Sequence, residues 1–228
     1  MELIGTYVMT PLLAILVFSR LARPLTICID PGHPSEVSQG TAGRVVSEVH
    51  VAWVVAKKLE AILIAKGVHV VLTKKSEFQM VRNKDRALIA NRCHADLMVR
   101  LHCDAANGSG FTTYYPDRQG TQHGVTGPAK SVLASTAPVA KRFHAVLRQD
   151  LGGFLKDNGL KSDVDTAVGS RYGALIASIY STVPVVLVEM CVLTNRHDED
   201  LVRSAKGQDR LAQGLADACS KSVGTHRR

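Results

Sequence analysis

The pattern of apolar positions predicts strands that alternate with helices along the chain. Residues 25–29 form a continuous apolar run, which is typical of a buried strand. From Ser47 to Gly67 apolar residues recur at helical spacing, so this stretch predicts a helix with Ser47 as its N-cap. Further strands are predicted at 68–73, 96–101, 110–116, 174–178 and 183–188.

The remaining segments predict more helices and two loops. Helical spacing marks residues 84–93, residues 129–151 and a last region that opens with "DEDL" and ends near Ser220. Residues 116–128 and 152–169 are predicted as connections. Strands alternating with helices are typical of a sheet that is covered on both faces. We therefore predict an α/β fold, a single three-layer domain with a largely parallel mixed β-sheet of about six strands.

An apolar stretch from Tyr7 to Phe18 precedes the first strand. It is shorter than a membrane-spanning helix requires, and it suits the core of a signal peptide, although Glu2 stands where a basic residue is usual. We interpret residues 1–22 as a signal or anchor segment, with cleavage after Ser19 preferred. An uncleaved short anchor and a buried terminal helix are the alternatives.

The charge and the cysteines narrow the class of protein. A net charge of +8 and a pI near 9.4 favour an anionic partner: nucleic acid, acidic lipid or an acidic polymer. No base-stacking motif accompanies the charge, so a nucleic-acid partner is not predicted. The five cysteines form no CxxC pair, which argues against a disulfide scaffold. We expect Cys28, Cys103 and Cys191 to be buried as small apolar side chains, and a Cys103–Cys191 disulfide stays open.

Three predicted strands are followed by residues that carry chemistry. His33 follows the first strand, His102 the strand at 96–101 and Glu189 the strand at 183–188. Sites in open α/β sheets lie at the carboxyl ends of the strands, so these side chains should meet at one edge. Two imidazoles and one carboxylate make a zinc site with an open fourth position, and a second carboxylate beside it can act as a base.

Glu48, directly after the Ser47 cap, is the candidate third ligand. A carboxylate in the first turn of a helix also has a plain structural role, because it complements the helix dipole. Glu189 could equally be paired with an arginine, and either histidine could be structural. The joint arrangement favours the zinc site, because a carboxylate in so apolar a strand is costly unless it is paired or used.

The motifs "IDPGH", Glu48, "RLHCDA" and "VPVVLVEMCVLTN" resemble, in order and spacing, the zinc-dependent type-3 N-acetylmuramoyl-L-alanine amidases of bacterial cell walls. The resemblance runs from residue 25 to about residue 220. It implies that His33, Glu48 and His102 bind one zinc ion per chain and that Glu189 is the catalytic acid and base. The family's substrate is peptidoglycan, cut between the lactyl group of N-acetylmuramic acid and L-alanine. Residues 23–228 would then be the catalytic amidase domain.

For three more residues the sequence supports a functional role less strongly. Asp30 and Asp104 are positioned to orient the ligand imidazoles, although turn-stabilising roles are as well supported. Asn195 is a candidate for substrate binding, with an ordinary turn as the better alternative. The chain departs from the family at Pro34, where glycine is usual, and at Arg100, where serine is usual. These departures bear on substrate preference.

The functional prediction is a cell-wall hydrolase with peptidoglycan as its partner. The alternatives are another zinc peptidase that acts on peptidoglycan stem peptides and a non-catalytic wall-binding module. We expect a monomer that is exported to the periplasm or the cell exterior. Membrane association through residues 1–22, and a peripheral membrane or regulatory protein partner, stay open.

Overall fold

A six-stranded mixed sheet organises residues 23–223, the part of the chain that the computed structural model describes. The strand order is β2-β1-β3-β8-β4-β7, and β5 and β6 form a separate two-stranded hairpin. The predicted signal or anchor segment at 1–22 lies outside the described residues. The strands are β1 (Thr26–Pro31), β2 (His69–Leu72), β3 (Leu97–Asp104), β4 (Phe111–Tyr115), β5 (Gly120–Gln122), β6 (Val125–Gly127), β7 (Asp157–Ser162) and β8 (Val185–Val192).

Most of the sheet is parallel. β2, β1, β3 and β8 run in the same direction, β4 is antiparallel to β8, and β7 is parallel to β4. The predicted α/β class with a largely parallel mixed sheet is confirmed. The helices are α1 (Glu48–Ala65), α2 (Asn83–Arg92), α3 (Lys130–Leu151), α4 (Ala167–Tyr172), α5 (Ile176–Tyr180), α6 (Arg196–Val202) and α7 (Ala205–Val223).

The two faces of the sheet bury different sets of side chains. Ile27 and Ile29 point to one face, where they join a large apolar core with α1, α3 and α7. Cys28 points to the other face and packs with Met98 and with Ala90 of α2. Because side chains alternate along a strand, Asp30, Arg100, His102 and Glu189 belong to this second face. The candidate chemistry therefore lies on the side of α2 and α5.

The predicted element boundaries need three corrections. Residues 174–178 were predicted as a strand, but residues 176–178 are the first turn of α5, since a short apolar run does not distinguish a strand from a buried helix. The connection predicted at 152–169 contains β7, whose sequence "DNGLKS" has no alternating apolar pattern. The loop predicted at 116–128 contains the β5–β6 hairpin.

The cysteines behave as small buried side chains. Cys28, Cys103 and Cys191 are almost fully buried, as predicted, and all three are free thiols. None of the helices within residues 23–223 is both long and apolar enough to cross a membrane.

Candidate metal and catalytic site

His33 stands in the turn that follows β1. Its backbone has a positive φ of 45°, and its peptide bond to Pro34 is cis. The ring atom Nδ1 lies 3.0 Å from the carbonyl oxygen of Ser38. Because a carbonyl only accepts hydrogen bonds, Nδ1 is the donor, and the lone pair of His33 is on Nε2. Nε2 lies 3.5 Å from Glu48 Oε1, so the imidazole nitrogen and the carboxylate could bind the same cation.

Glu48 is the first residue of α1 and is 2% exposed. Its Oε2 accepts a 2.8 Å hydrogen bond from the backbone N–H of Thr41, and its Oε1 accepts one of 3.1 Å from Cys103. Burial opposes ionisation, but the hydrogen bond from His102 and the electrostatic effect of both imidazole groups outweigh it and lower the pKa of Glu48 to about 2. Glu48 is therefore a carboxylate at neutral pH.

His102 lies near the end of β3 and faces both other residues. Its Nδ1 is 2.9 Å from Glu48 Oε1, and its ring meets that of His33 edge-on, with centroids 4.9 Å apart. Burial lowers the pKa of His102 to about 4, despite the opposing effect of Glu48. Its Nε2 is buried without a hydrogen-bond partner within residues 23–223. The imidazole is thus neutral and has an unused ring nitrogen.

The three residues form a cluster whose chemistry fits a zinc ion. One ligand atom from each of His33, Glu48 and His102 lies within 4.8 Å of the others. Neutral imidazoles and a carboxylate are the donor set of open catalytic zinc sites. A buried imidazole nitrogen without a partner is unusual, since buried polar groups are normally satisfied. The sequence prediction brought these residues to one edge, and the structure brings them together.

Glu189 lies opposite His102, on the neighbouring strand β8. Its Oε2 is buried and has no hydrogen-bond partner among the described residues. Burial raises the pKa of Glu189 well above its usual range, and the nearby carboxylates of Glu48 and Asp104 add to this effect. A carboxyl group with high proton affinity therefore stands beside the candidate metal cluster.

Asp30 is fully buried, and its contacts agree better with the turn-stabilising alternative than with the orientation of a ligand imidazole. It accepts hydrogen bonds from Thr73, from Arg86 Nη1 at 2.6 Å and from Arg100 Nε at 2.7 Å. Burial opposes its ionisation, but the two arginines outweigh burial and lower the pKa of Asp30. Asp30 therefore orients Arg86 and Arg100 rather than a ligand imidazole.

Two buried cations hold the turn that carries His33. Lys74 Nζ donates to the His33 carbonyl at 2.6 Å, and Arg86 donates to the carbonyls of Pro31 and Pro34 at 2.7 and 2.8 Å. We call these two side chains the turn clamp. The sequence analysis missed them, because their partners are backbone carbonyls more than 40 positions away. The only sequence signal is a Lys directly after a strand and an Arg inside an otherwise ordinary helix.

Asp104 and Asn195, the other two predicted residues, lie in different places relative to the site. Asp104 lines the same cleft as His33 and Glu189, and its Oδ1 accepts from the Ala105 N–H. Asn195 does not line this cleft. Its side chain caps α6 and donates to the Gly108 carbonyl at 2.7 Å, so the predicted alternative of a turn describes it better than substrate binding.

The cluster opens into a cleft of about 320 Å³. Apolar and polar side chains share its wall, as is usual for small-molecule sites. The cleft is lined by His33, Ser35, Val37, Asn83, Arg100, His102, Asp104, Tyr114, Asp165, Thr166, Ala167, Val168, Leu175, Ile176, Leu187 and Glu189.

Known proteins share the sequence pattern of this chain. The profile of a family described as N-acetylmuramoyl-L-alanine amidase matches residues 27–221. The chain is 28% identical to the N-acetylmuramoyl-L-alanine amidase LytC of Bacillus subtilis over 211 residues, which cover 91% of this chain and 38% of LytC. It is 29% identical over 163 residues to a sporulation-specific N-acetylmuramoyl-L-alanine amidase of the same species, covering 67% of this chain and 63% of that one. The chain thus spans less than two thirds of the length of these curated relatives.

A solved structure shares the fold as well. The N-acetylmuramoyl-L-alanine amidase AmiC2 of Nostoc punctiforme superposes with a TM-score of 0.68 at 25% identity, covering 88% of this chain and 97% of that one. An α/β domain with a His–Glu–His cluster beside a buried carboxyl group is typical of a metallohydrolase. The family match spans almost all of the described residues. The chain belongs to the N-acetylmuramoyl-L-alanine amidase family.

Proposed function

We propose that this chain is a zinc-dependent amidase that cleaves the bond between N-acetylmuramic acid and L-alanine in peptidoglycan. One observation carries the proposal: ligand atoms of His33, Glu48 and His102 converge within 4.8 Å, and both histidines line the same cleft as Glu189. Family membership supports the choice of substrate.

His33, Glu48 and His102 would hold the zinc ion. The cluster supports this role through its donor types and through the unpartnered Nε2 of His102. The hydrogen bond to the Ser38 carbonyl fixes the ring orientation of His33, with its Nε2 directed toward Glu48 Oε1. When bound, zinc supplies Lewis-acid chemistry, which lowers the pKa of water toward about 7 and polarises a carbonyl group.

Glu189 would move the proton. Its Oε2 would take a proton from the attacking water and then deliver it to the departing nitrogen of L-alanine. The high proton affinity that burial and the neighbouring carboxylates give Glu189 supports the second half of this cycle, in which it must act as an acid.

The proposed action lies outside the cytoplasm, in the periplasm or the extracellular space, because peptidoglycan is found there. The leader proposed at residues 1–22 would provide export. A monomer is sufficient for the proposed chemistry, since all four chemical groups come from one chain.

Mass analysis of peptidoglycan digests tests the proposal. The expected products are intact glycan strands and stem peptides with a new L-alanine amino group; a chelator should stop the reaction, and added zinc should restore it. His33→Ala and His102→Ala should each lower the zinc content as well as the activity. Cuts inside the stem peptide would instead identify a peptidase, and wall binding without any cleavage would identify a binding module.

A further inference from the structure

Arg100 is the only lysine or arginine within residues 23–223 that lines the cleft. It is 3% exposed and lies on β3, two positions before His102. Side chains two positions apart point to the same face of a strand and are separated by about 6.6 Å. Arg100 therefore presents a positive charge on the cleft floor, one side chain away from the proposed reaction centre.

The guanidinium group of Arg100 is held on two sides and open on the third. Its Nε donates to Asp30 Oδ2, and its Nη2 donates to Asn83 Oδ1, both at 2.7 Å. Within residues 23–223, Nη1 has no hydrogen-bond partner. A guanidinium carries five N–H donors, two of them on Nη1. The fixed orientation thus leaves donors that the protein itself does not use.

Arg100 shares its ion-paired carboxylate with a second cation, and the carboxyl groups of Glu189 and Asp163 feel its charge without forming an ion pair with it. Asp30 is the only carboxylate that is ion-paired with Arg100 within the described part of the chain. The same carboxylate is paired with Arg86 at 2.6 Å, so one negative charge faces two positive charges. A ligand carboxylate at Nη1 would add a direct, charge-assisted hydrogen-bond partner to a guanidinium that shares its ion pair.

We propose that Arg100 forms an anion subsite that binds a carboxylate of the peptidoglycan stem peptide. The inference rests on the proposed function, which sets the class of substrate. A planar guanidinium binds a carboxylate through charge-assisted hydrogen bonds of defined geometry. Leu187 and Tyr114 continue the cleft wall from Arg100 across the sheet, because each pairs in register with the next strand. They provide an apolar surface for the peptide beside its carboxylate.

The test compares two forms of one substrate. Sacculi with native carboxylates and sacculi amidated with ammonia and a carbodiimide are digested by the wild-type chain and by Arg100→Gln. The wild-type protein should cleave native sacculi about 10- to 100-fold more efficiently than amidated ones, the range expected for hydrogen bonds to a charged group. Arg100→Gln should lose this preference and keep its zinc content.

Two further variants sharpen the comparison. Arg92→Gln removes an equal charge from the exposed end of α2, outside the cleft, and should behave like the wild type. Asn83→Ala removes the side chain that orients Nη2 and should reduce the preference several-fold. If Arg100→Gln loses zinc, the result for Asn83→Ala is used instead. An unchanged preference of Asn83→Ala for native over amidated sacculi overturns the subsite.

The outcomes separate the two proposals. If the wild-type protein cleaves neither form, the proposed function fails and the subsite fails with it. Equal cleavage of both forms by the wild type leaves the amidase intact and overturns the subsite. Equal losses on both substrates in Arg100→Gln also overturn it, because Arg100 would then act only through Asp30 and the turn clamp.

Discussion

The backbone of Gly32 lies against the imidazole ring of His102. A Cβ atom on Gly32 would stand 2.6 Å from Cε1 and 2.7 Å from Nδ1 of that ring. The Gly32 N–H also donates to the Leu101 carbonyl at 2.8 Å, so the two backbones cannot separate without losing a hydrogen bond. The positions of the two candidate ligand histidines therefore depend on the absence of a side chain at Gly32.

Gly32→Ala should displace His102 and strongly weaken zinc binding. Contacts this short force a shift of the ring, and ligand geometry tolerates little error, so we expect at least a 100-fold loss of zinc affinity. Gly153→Ala is the matched control, because a Cβ there meets nothing within 4 Å. Zinc titration followed by metal analysis checks both variants. Wild-type affinity in Gly32→Ala would contradict the close packing.

Glu189→Gln should remove activity without removing metal. The amide has nearly the same size as the carboxyl group but cannot accept and return the proton, so the rate should fall by about 10²- to 10⁴-fold. Zinc content should stay near that of the wild type, because Glu189 lies outside the His33, Glu48 and His102 cluster. Parallel loss of zinc and activity would assign Glu189 to the metal site instead.

Lys74→Ala should weaken the site from a distance. Removing Nζ leaves the half-buried carbonyls of His33 and Glu77 without their donor, which should cost about 1–3 kcal/mol in the free energy of unfolding. Zinc affinity should fall by about 10- to 100-fold, as for other groups that orient a ligand. Lys75→Ala removes an exposed neighbouring lysine and should change neither quantity. Urea denaturation and zinc titration measure the two effects.

Ionisation of Asp163 should lower the free energy of unfolding progressively as the pH rises from about 4 to about 6. Burial raises its pKa from 3.8 to about 6, so the folded chain keeps a proton that the unfolded chain releases in this window. Stability therefore falls as pH rises, and the full penalty, about 2–3 kcal/mol, is present above pH 6. Asp30 has the opposite sign: its lowered pKa gives stability that is lost only as pH falls below about 4.

Asp163→Asn tests this pH dependence. The amide keeps an oxygen that can accept from the Leu175 N–H but cannot ionise. Its stability relative to the wild type should grow from pH 4 to pH 6 and then stay constant. Asp165→Asn removes an exposed carboxylate two residues away and provides the comparison. A difference between Asp163→Asn and the wild type that does not vary with pH would contradict the assignment.

The sequence could predict the edge of the sheet where the candidate site lies. Apolar runs followed by His33, His102 and Glu189 indicate strands that deliver polar groups to one end, and the parallel register of β1, β3 and β8 brings them together. Glu48 was accessible through its helix cap together with the family resemblance. The meeting of His33, His102 and Glu189 at one edge could be predicted because strand direction and strand order determine it, with little dependence on side-chain detail.

The supporting contacts could not be predicted in the same way. Lys74, Arg86 and Arg100 find their partners across the fold, and no local periodicity records such pairings. The wrong prediction of a strand in the region of α5 has a related cause, because a short apolar run does not show whether its period is that of a strand or of a helix. The same limit also explains β7, which pairs with β4 although its sequence has weak strand propensity.

The ligand cluster also makes the stability of the fold depend on the concentration of free zinc. His33, Glu48 and His102 come from three separate elements, so an unfolded chain would have to close long loops to assemble the same chelate. Zinc should therefore bind the folded chain almost exclusively and shift the unfolding equilibrium by mass action. At a free zinc concentration 100 times the dissociation constant, the gain would be about 2.7 kcal/mol. The melting temperature would then report the zinc concentration around the protein.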